Sequence, residues 1–254
     1  MPLDRRSFVT LGSASLAAPV ASAVLGPLVS GKSIEALAFD AFAIFDPRPL
    51  FRACEAAFPG RGSELADAWR GRQFEYQWLR ALTGMYSDFW SVTADALQFA
   101  AHSIHLDLSD PTRDELMHGY LALRAWPEVP AALEKLRHSG RKLVLLSNAT
   151  DAILNAGIAN SGLTGTFQHV ISTDRIRTFK PDPRAYRLGT QVLGLRTPQI
   201  MFVAFAGWDA AGAEWFGYPT FWNNRQNAAA EELGVRPQGS GATLDELVGF
   251  LDAA

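Results

Sequence analysis

Five short apolar runs, each broken off by a polar or turn residue and separated from the next by a helix-like stretch, leave this chain few ways to fold. Ile34 to Phe39 stops at Asp40, and Lys142 to Leu146 stops at Ser147. His169 to Ser172, Ile200 to Ala204 and Thr220 to Trp222 complete the set. Helices are predicted over Ala131 to His138, Ala152 to Ala159, Ala185 to Leu193, Ala210 to Phe216 and Leu244 to Leu251. Runs this short and this continuously apolar suit strands covered on both faces. Their alternation with helices predicts an α/β fold with a doubly wound, Rossmann-like parallel sheet. Such sheets bind ligands outside the carboxyl ends of their strands, and Asp40, Ser147 and Asp209 all fall there.

Between Pro47 and about Ala125 the texture changes. No β-rich run appears, and apolar residues recur at helical spacing: Trp69, Phe74, Trp78 and Leu82, then Leu97, Ala101 and Ile104. Asp110 is expected to cap a further helix, with Pro111 in its first turn and Asp114 and Glu115 near its positive end. The block reads as an inserted helical cap of four or five helices over 47–125, between core segments 24–46 and 126–254.

Composition narrows the function. A chain of 254 residues with 48% hydrophobic content, including seven Trp and sixteen Phe, can bury a core, which excludes a disordered or fibrous protein. The net charge is −3 and no basic stripe carries interleaved aromatics, so nucleic acid is not an expected partner. The single cysteine, Cys54, has no internal disulfide partner and reads as a small buried residue. At the N-terminus, Arg5-Arg6 precedes an uncharged stretch from Ser7 to Gly31, within which Ala21-Ser22-Ala23 offers small residues for a signal peptidase. That order predicts a twin-arginine export signal over 1–23, recognised by the export machinery, and a periplasmic mature protein beginning near Val24. An uncleaved membrane anchor and a disordered N-terminus are the alternatives, the anchor weakened as a helix by Gly12, Pro19, Gly26 and Pro27.

Asp40 is the first candidate for chemistry. A carboxylate at a strand tip is costly to desolvate unless it is paired or used, the alternative being a helix cap or turn residue. Lys180, followed by Pro181-Asp182-Pro183, supplies a cation on a loop after a strand, and its ammonium would stabilise charge on Asp40. His102 and His105, three apart on a predicted helix, read as a solvated or packed face rather than a metal pair. No clustered carboxylates offer a magnesium site, and no cofactor is implied.

Four segments taken in order, Ala38-Phe39-Asp40, Leu145-Leu146-Ser147-Asn148, Thr178-Phe179-Lys180-Pro181-Asp182 and Gly207-Trp208-Asp209-Ala210, resemble the motifs of the haloacid dehalogenase superfamily. The fuller resemblance, from Ile34 to about Arg225, is to the type II 2-haloacid dehalogenases. It includes Ala57-Phe58-Pro59-Gly60-Arg61-Gly62 and Trp69-Arg70 to Arg80 in the cap. The resemblance implies that Asp40 attacks C2 of a small carboxylic acid in line, forming an ester that water then hydrolyses at the Asp40 carboxyl to give a 2-hydroxy acid. It further implies that Arg70, Phe89 and Asn148 cradle the leaving group, and that Ser147 holds the substrate carboxylate. Lys180 would stabilise the charge on Asp40, with Tyr186 and Asp209 orienting Lys180 and the water. Relatives commonly pair through the cap, so a homodimer is an expectation of the resemblance.

Departures from the family pattern shape the choice of substrate. Superfamily phosphatases carry a second Asp two residues after the nucleophile, where this chain has Phe42, which argues against a phosphatase. The dehalogenases carry a Thr where this chain has Ile44. They also carry a Ser and an Asn before the last motif, where it has Ala204 and Ala206 around Phe205. A more apolar pocket favours, as first expectation, (S)-azetidine-2-carboxylate, opened at its C–N bond to 4-amino-2-hydroxybutyrate. Arg70 counts against that reading, because a cation is an awkward neighbour for the ring ammonium. The second expectation is hydrolysis of a C–halogen bond in an (S)-2-haloacid. The third is an exported binding protein without turnover.

Overall fold

The computed structural model describes residues 34–253. The leader assigned to 1–23 and the first core residues up to 33 lie outside them.

The core is a six-stranded, all-parallel sheet in the order β3-β2-β1-β4-β5-β6. The strands are β1 (Ala36–Phe39), β2 (Lys142–Ser147), β3 (His169–Ser172), β4 (Ile200–Ala204), β5 (Thr220–Asn223) and β6 (Gly239–Gly241). Side chains alternate across each strand, so the continuous apolar runs divide into two cores. Leu37, Phe39, Leu143, Leu145, Met201 and Val203 face one layer. Ala36, Ala38, Val144, Leu146, Phe202 and Ala204 face the other. Helices α6 (Val129–His138), α7 (Asp151–Asn160) and α10 (Leu244–Ala253) cover the first face, through Leu133, Leu154 and Leu247 among others. Helices α8 (Pro183–Leu193) and α9 (Gly207–Phe216) cover the second through Tyr186, Leu188, Ala210 and Ala213. Each large apolar side chain buried this way stabilises the fold by roughly 1.5–3 kcal/mol.

Strand β6 was not expected. Its sequence, Gly-Ser-Gly, carries no apolar periodicity, and it forms by pairing with β5 in the register Phe221↔Gly239. A Cβ at Gly239 would sit 2.8–2.9 Å from the rings of Phe250 and Phe221, so the missing side chain is what lets those rings close over the edge. Strand β1 begins at Ala36, two residues after the expected start.

Between β1 and α6 lie α1 (Ala41–Ile44) and the helical block α2 (Arg48–Ala57), α3 (Gly62–Thr83), α4 (Phe89–Ser103) and α5 (Asp110–His118), closed by a 3-10 turn at Gly119–Leu121. Helix α5 is capped by Ser109, whose hydroxyl accepts from Thr112 N, and Asp110 is instead its first residue. His105 lies beyond the end of α4 with φ 59°, so it does not share a helix face with His102. The apolar stripe expected on α3 is not its buried stripe: Trp69 is buried, Phe74 and Trp78 are half-buried, and Leu82 is 85% exposed. The face turned inward is Leu65, Trp69, Gln73 and Gln77, spaced by four. Its polar members are tied down. Gln73 Nε2 donates to Thr93 Oγ1 at 2.6 Å, and Trp69 Nε1 donates to the Thr93 carbonyl at 2.8 Å, locking α3 against α4. Cys54 is fully buried in this block, and burial pushes its thiol up to about 11.

Candidate active site

The parallel sheet delivers its polar residues to one edge. Asp40 follows β1 directly, Ser147 ends β2, and Asp209 sits in the first turn of α9, just after β4. Lys180 arrives from the loop between β3 and α8, 1% exposed. Its Nζ lies 2.8 Å from Asp40 Oδ1 and 2.6 Å from Asp209 Oδ2. Tyr186 donates to Asp209 Oδ1 at 2.7 Å. The other oxygen of Asp40 accepts from Phe42 N at 3.0 Å, so the carboxylate also caps α1. Ion-paired carboxylate and helix cap are therefore one residue, with each oxygen held by a different donor.

The electrostatics follow from two carboxylates sharing one ammonium. Burial opposes the charge on Lys180, but Asp209 and Asp40 outweigh it and hold the ammonium above its ordinary value. The Asp209 carboxyl is raised to about 6: burial pushes it up and Asp40 adds to that, against the lowering pull of Lys180 and of the Tyr186 hydrogen bond. Burial, then Asp209, lifts Tyr186 well above the usual phenol value, which keeps it a donor.

Above this cluster opens a cavity of about 790 Å³ counted to its mouth, with the sheet edge as floor and the helical block as roof. All eight predicted site residues belong to this assembly. Asp40, Arg70, Phe89, Ser147, Asn148, Lys180 and Asp209 line the cavity, and Tyr186 stands behind Asp209. Ser147 Oγ accepts from Ala149 N at 3.2 Å. Arg70 lies over Phe74 and donates to Gln226 Oε1 at 3.2 Å. Burial lowers its pKa, only partly offset by Tyr120 and Asp67, yet a guanidinium keeps its charge. Asn148 is the residue whose bonding differs from expectation. Its Nδ2 donates to Gln77 Oε1 at 2.8 Å, and its Oδ1 accepts from Lys180 N at 2.7 Å, so the amide is engaged in holding the site together.

Sequence reasoning missed several wall residues. Gln77 shares the inner face of α3 with Arg70, two turns away, and that spacing was the available signal. Phe42 and Phe205 form an aromatic wall, ring centroids 6.0 Å apart, in the cavity that Asp40 lines. Ile44 and Ala204 are fully buried in apolar surroundings, whereas Ala206 faces the cavity. The amide nitrogen of Gln77 and the indole nitrogen of Trp208, also on the wall, have no partner among the described residues. Each such buried donor costs about 1–3 kcal/mol if left unpaired.

A family model described as haloacid dehalogenase-like hydrolase matches residues 20–217 of the sequence. The chain belongs to the haloacid dehalogenase-like hydrolases. This haloacid dehalogenase-like hydrolase is similar to the (S)-2-haloacid dehalogenase of Pseudomonas sp. (strain YL), 40% identical over 222 residues covering 87% of this chain and 96% of that one. It is likewise 39% identical to haloacetate dehalogenase H-2 of Moraxella sp. (strain B), over 85% of this chain and 97% of that one. The crystal structure of the L-2-haloacid dehalogenase RSc1362 superposes with a TM-score of 0.84 at 38% identity, covering 86% of this chain and 99% of the other. The expected α/β fold, the family and hydrolase activity all stand on these findings.

Proposed function

We propose that this hydrolase breaks the carbon–halogen bond of a small (S)-2-haloacid, with Asp40 as nucleophile and a 2-hydroxy acid as product. The observation that carries the reading is the buried Asp40–Lys180 pair, 2.8 Å apart, under a cavity roofed by Arg70. Asp40 attacks C2, and the halide leaves with the bonding pair toward Arg70 and Phe89 on the opposite wall. The C2 ester formed on Asp40 is then attacked at its carboxyl carbon by water, whose proton passes to the Asp209 network. Ser147 and neighbouring backbone amides hold the substrate carboxylate, and Lys180 offsets charge on Asp40 in both steps. The helices α2–α5 act as the cap that excludes bulk water.

This reading replaces azetidine-2-carboxylate as the leading substrate. The ring ammonium of that substrate needs acceptors around it before its C–N bond breaks, whereas Arg70, the Gln77 nitrogen and the Trp208 nitrogen of the cavity-lining residues are all donors. The similar proteins named above, dehalogenases of haloacids, support the same choice. The aromatic wall of Phe42 and Phe205 suits a compact apolar substituent on C2.

Incubation with (S)-2-chloropropionate and, separately, with (S)-azetidine-2-carboxylate tests the proposal: chloride release is expected from the first and no amino hydroxy acid from the second. Tight binding of the haloacid without product would instead mean a binding protein. Asp40→Asn should abolish turnover, and full activity in that variant is incompatible with the mechanism. Single turnover in oxygen-18 water should place the label in Asp40; label appearing at once in product would mean direct attack by water. Export by the twin-arginine route is part of the proposal on the strength of Arg5-Arg6 and the uncharged stretch that follows, with cell fractionation as its test. A homodimer through the cap is proposed from exposed Leu79, Leu82 and Met85 near the end of α3, and light scattering of the purified protein decides it.

A further inference from the structure

The hydrogen bonds around Asn148 dictate which way Gln77 faces. The backbone N–H of Lys180 can only donate, so the atom of Asn148 it meets at 2.7 Å must be the carbonyl oxygen. Thr173 Oγ1, 3.3 Å away, contacts that same oxygen. Asn148 therefore turns its NH2 toward Gln77, and the Gln77 atom that receives it at 2.8 Å must be the carbonyl oxygen. Gln77 is a cavity-lining residue, 1% exposed, and its NH2 is left shielded from solvent with no partner among the described residues. A rigid backbone amide in the core thus fixes, through two side-chain amides, a donor in the roof.

We infer that Gln77 Nε2 is a specificity-determining donor for the departing halide, acting beside Arg70. The inference rests on the haloacid reading and adds to it a residue outside the four motifs. Arg70 and Gln77 lie on the same face of α3, seven residues apart, and both reach the cavity that Asp40 borders from below. Displacement in line sends the leaving group away from the attacking carboxylate, toward that face. The NH2 of Asn148 is committed to Gln77 and, at 3.4 Å, to the Lys180 carbonyl. Gln77 accordingly presents the amide donor that Asn148 has spent on it. An anion developing there meets one guanidinium and one amide N–H, with no carboxylate on α3 among the cavity-lining residues.

Chloride and bromide binding to the full-length protein, read by the fluorescence of Trp69 and Trp208 on the cavity wall, tests this without requiring turnover. Gln77→Met should weaken halide binding about tenfold, the loss expected for one hydrogen bond to an anion. Gln77→Glu keeps the acceptor for Asn148 and the shape of the side chain while replacing the donor, and should abolish halide binding. Thermal unfolding of both variants checks that they fold. Unchanged halide affinity in either variant overturns the inference, because Gln77 would then serve only to hold Asn148; so does absence of halide binding to the wild type. In turnover of (S)-2-chloropropionate, Gln77→Met should lower kcat with KM nearly constant; a rise in KM alone would move Gln77 to the substrate carboxylate and also overturn it. Halide binding that Gln77→Met weakens, without chloride release from the haloacid, refutes the haloacid proposal and leaves Gln77 as an anion donor of the cavity. Chloride release with halide affinity insensitive to Gln77 refutes this inference alone.

Discussion

Replacing Lys180 by Met removes the ammonium while keeping the length of a straight, buried side chain. Contacts of 2.8 and 2.6 Å are each worth on the order of 6 kcal/mol gross at an effective dielectric near 20. Desolvation of the three charges cancels most of that. Breaking such a buried pair from one side leaves a net loss of about 3–5 kcal/mol. The loss has a pH signature. Asp209, raised to about 6 with Lys180 in place, rises further once Lys180 no longer opposes burial and Asp40. A carboxyl whose folded value lies above its unfolded one loses stability as pH rises through that window. The deficit of Lys180→Met is therefore largest at pH 7 and above, and shrinks toward pH 5 as the orphaned site takes up a proton. Urea unfolding of wild type and variant at pH 7 and pH 5 measures it, and chloride release from (S)-2-chloropropionate should fall by about 10²–10³ in kcat. A variant within 1 kcal/mol of wild type at pH 7, or a deficit that grows toward pH 5, would refute the reasoning.

The wild-type enzyme should gain activity as pH rises through about 6, where Asp209 loses its proton, and lose it only above the ordinary lysine range, where Lys180 is neutralised; an acidic limb near 4 would be inconsistent with a buried Asp209. Gly212→Ala places a Cβ 2.5 Å from the Tyr186 hydroxyl and 2.9 Å from Pro181, so it should displace Tyr186 from Asp209 and destabilise by about 1–3 kcal/mol. Thermal unfolding and chloride release check it, and a fully active, fully stable variant would show that Tyr186 is dispensable. Arg70→Lys keeps the charge but loses the planar fork, and should lower kcat/KM tenfold or more, measured as chloride release; wild-type kinetics would remove Arg70 from the leaving-group side.

Much of this protein was legible in its sequence, for a definite physical reason. Strands buried on both faces are apolar over most of their length, so β1, β2 and β4 stand out as runs, the shorter β3 and β5 show through their alternation with helices, and a polar residue at a strand tip is conspicuous. Asp40, Ser147 and Asp209 were visible on that ground, Lys180 as a cation on a loop after a strand, and the ordered family motifs added Arg70, Phe89, Asn148 and Tyr186. Features that depend on a distant partner were not legible. Strand β6 has no apolar run because its stability comes from pairing with β5 and from rings that close over Gly239. The helix at Asp110 starts one residue early because Ser109 and Asp110 are both competent caps and only packing chooses between them. On α3, composition pointed to Phe74, Trp78 and Leu82, yet the inward face carries Gln73 and Gln77.

The sequence by itself determined the sheet, the helical insertion and the carboxylate–ammonium pair, since these follow from periodicity and from which side chains tolerate burial. Tertiary structure alone decided which polar atoms of the cavity are satisfied and which remain free. Gln77 is buried because Asn148, 71 residues away along the chain, accepts its company, and the direction of both amides is set by one backbone N–H at Lys180. A hydrogen bond needs an atom at about 3 Å and at the right angle, and proximity of that kind is a property of the folded chain rather than of any segment of it.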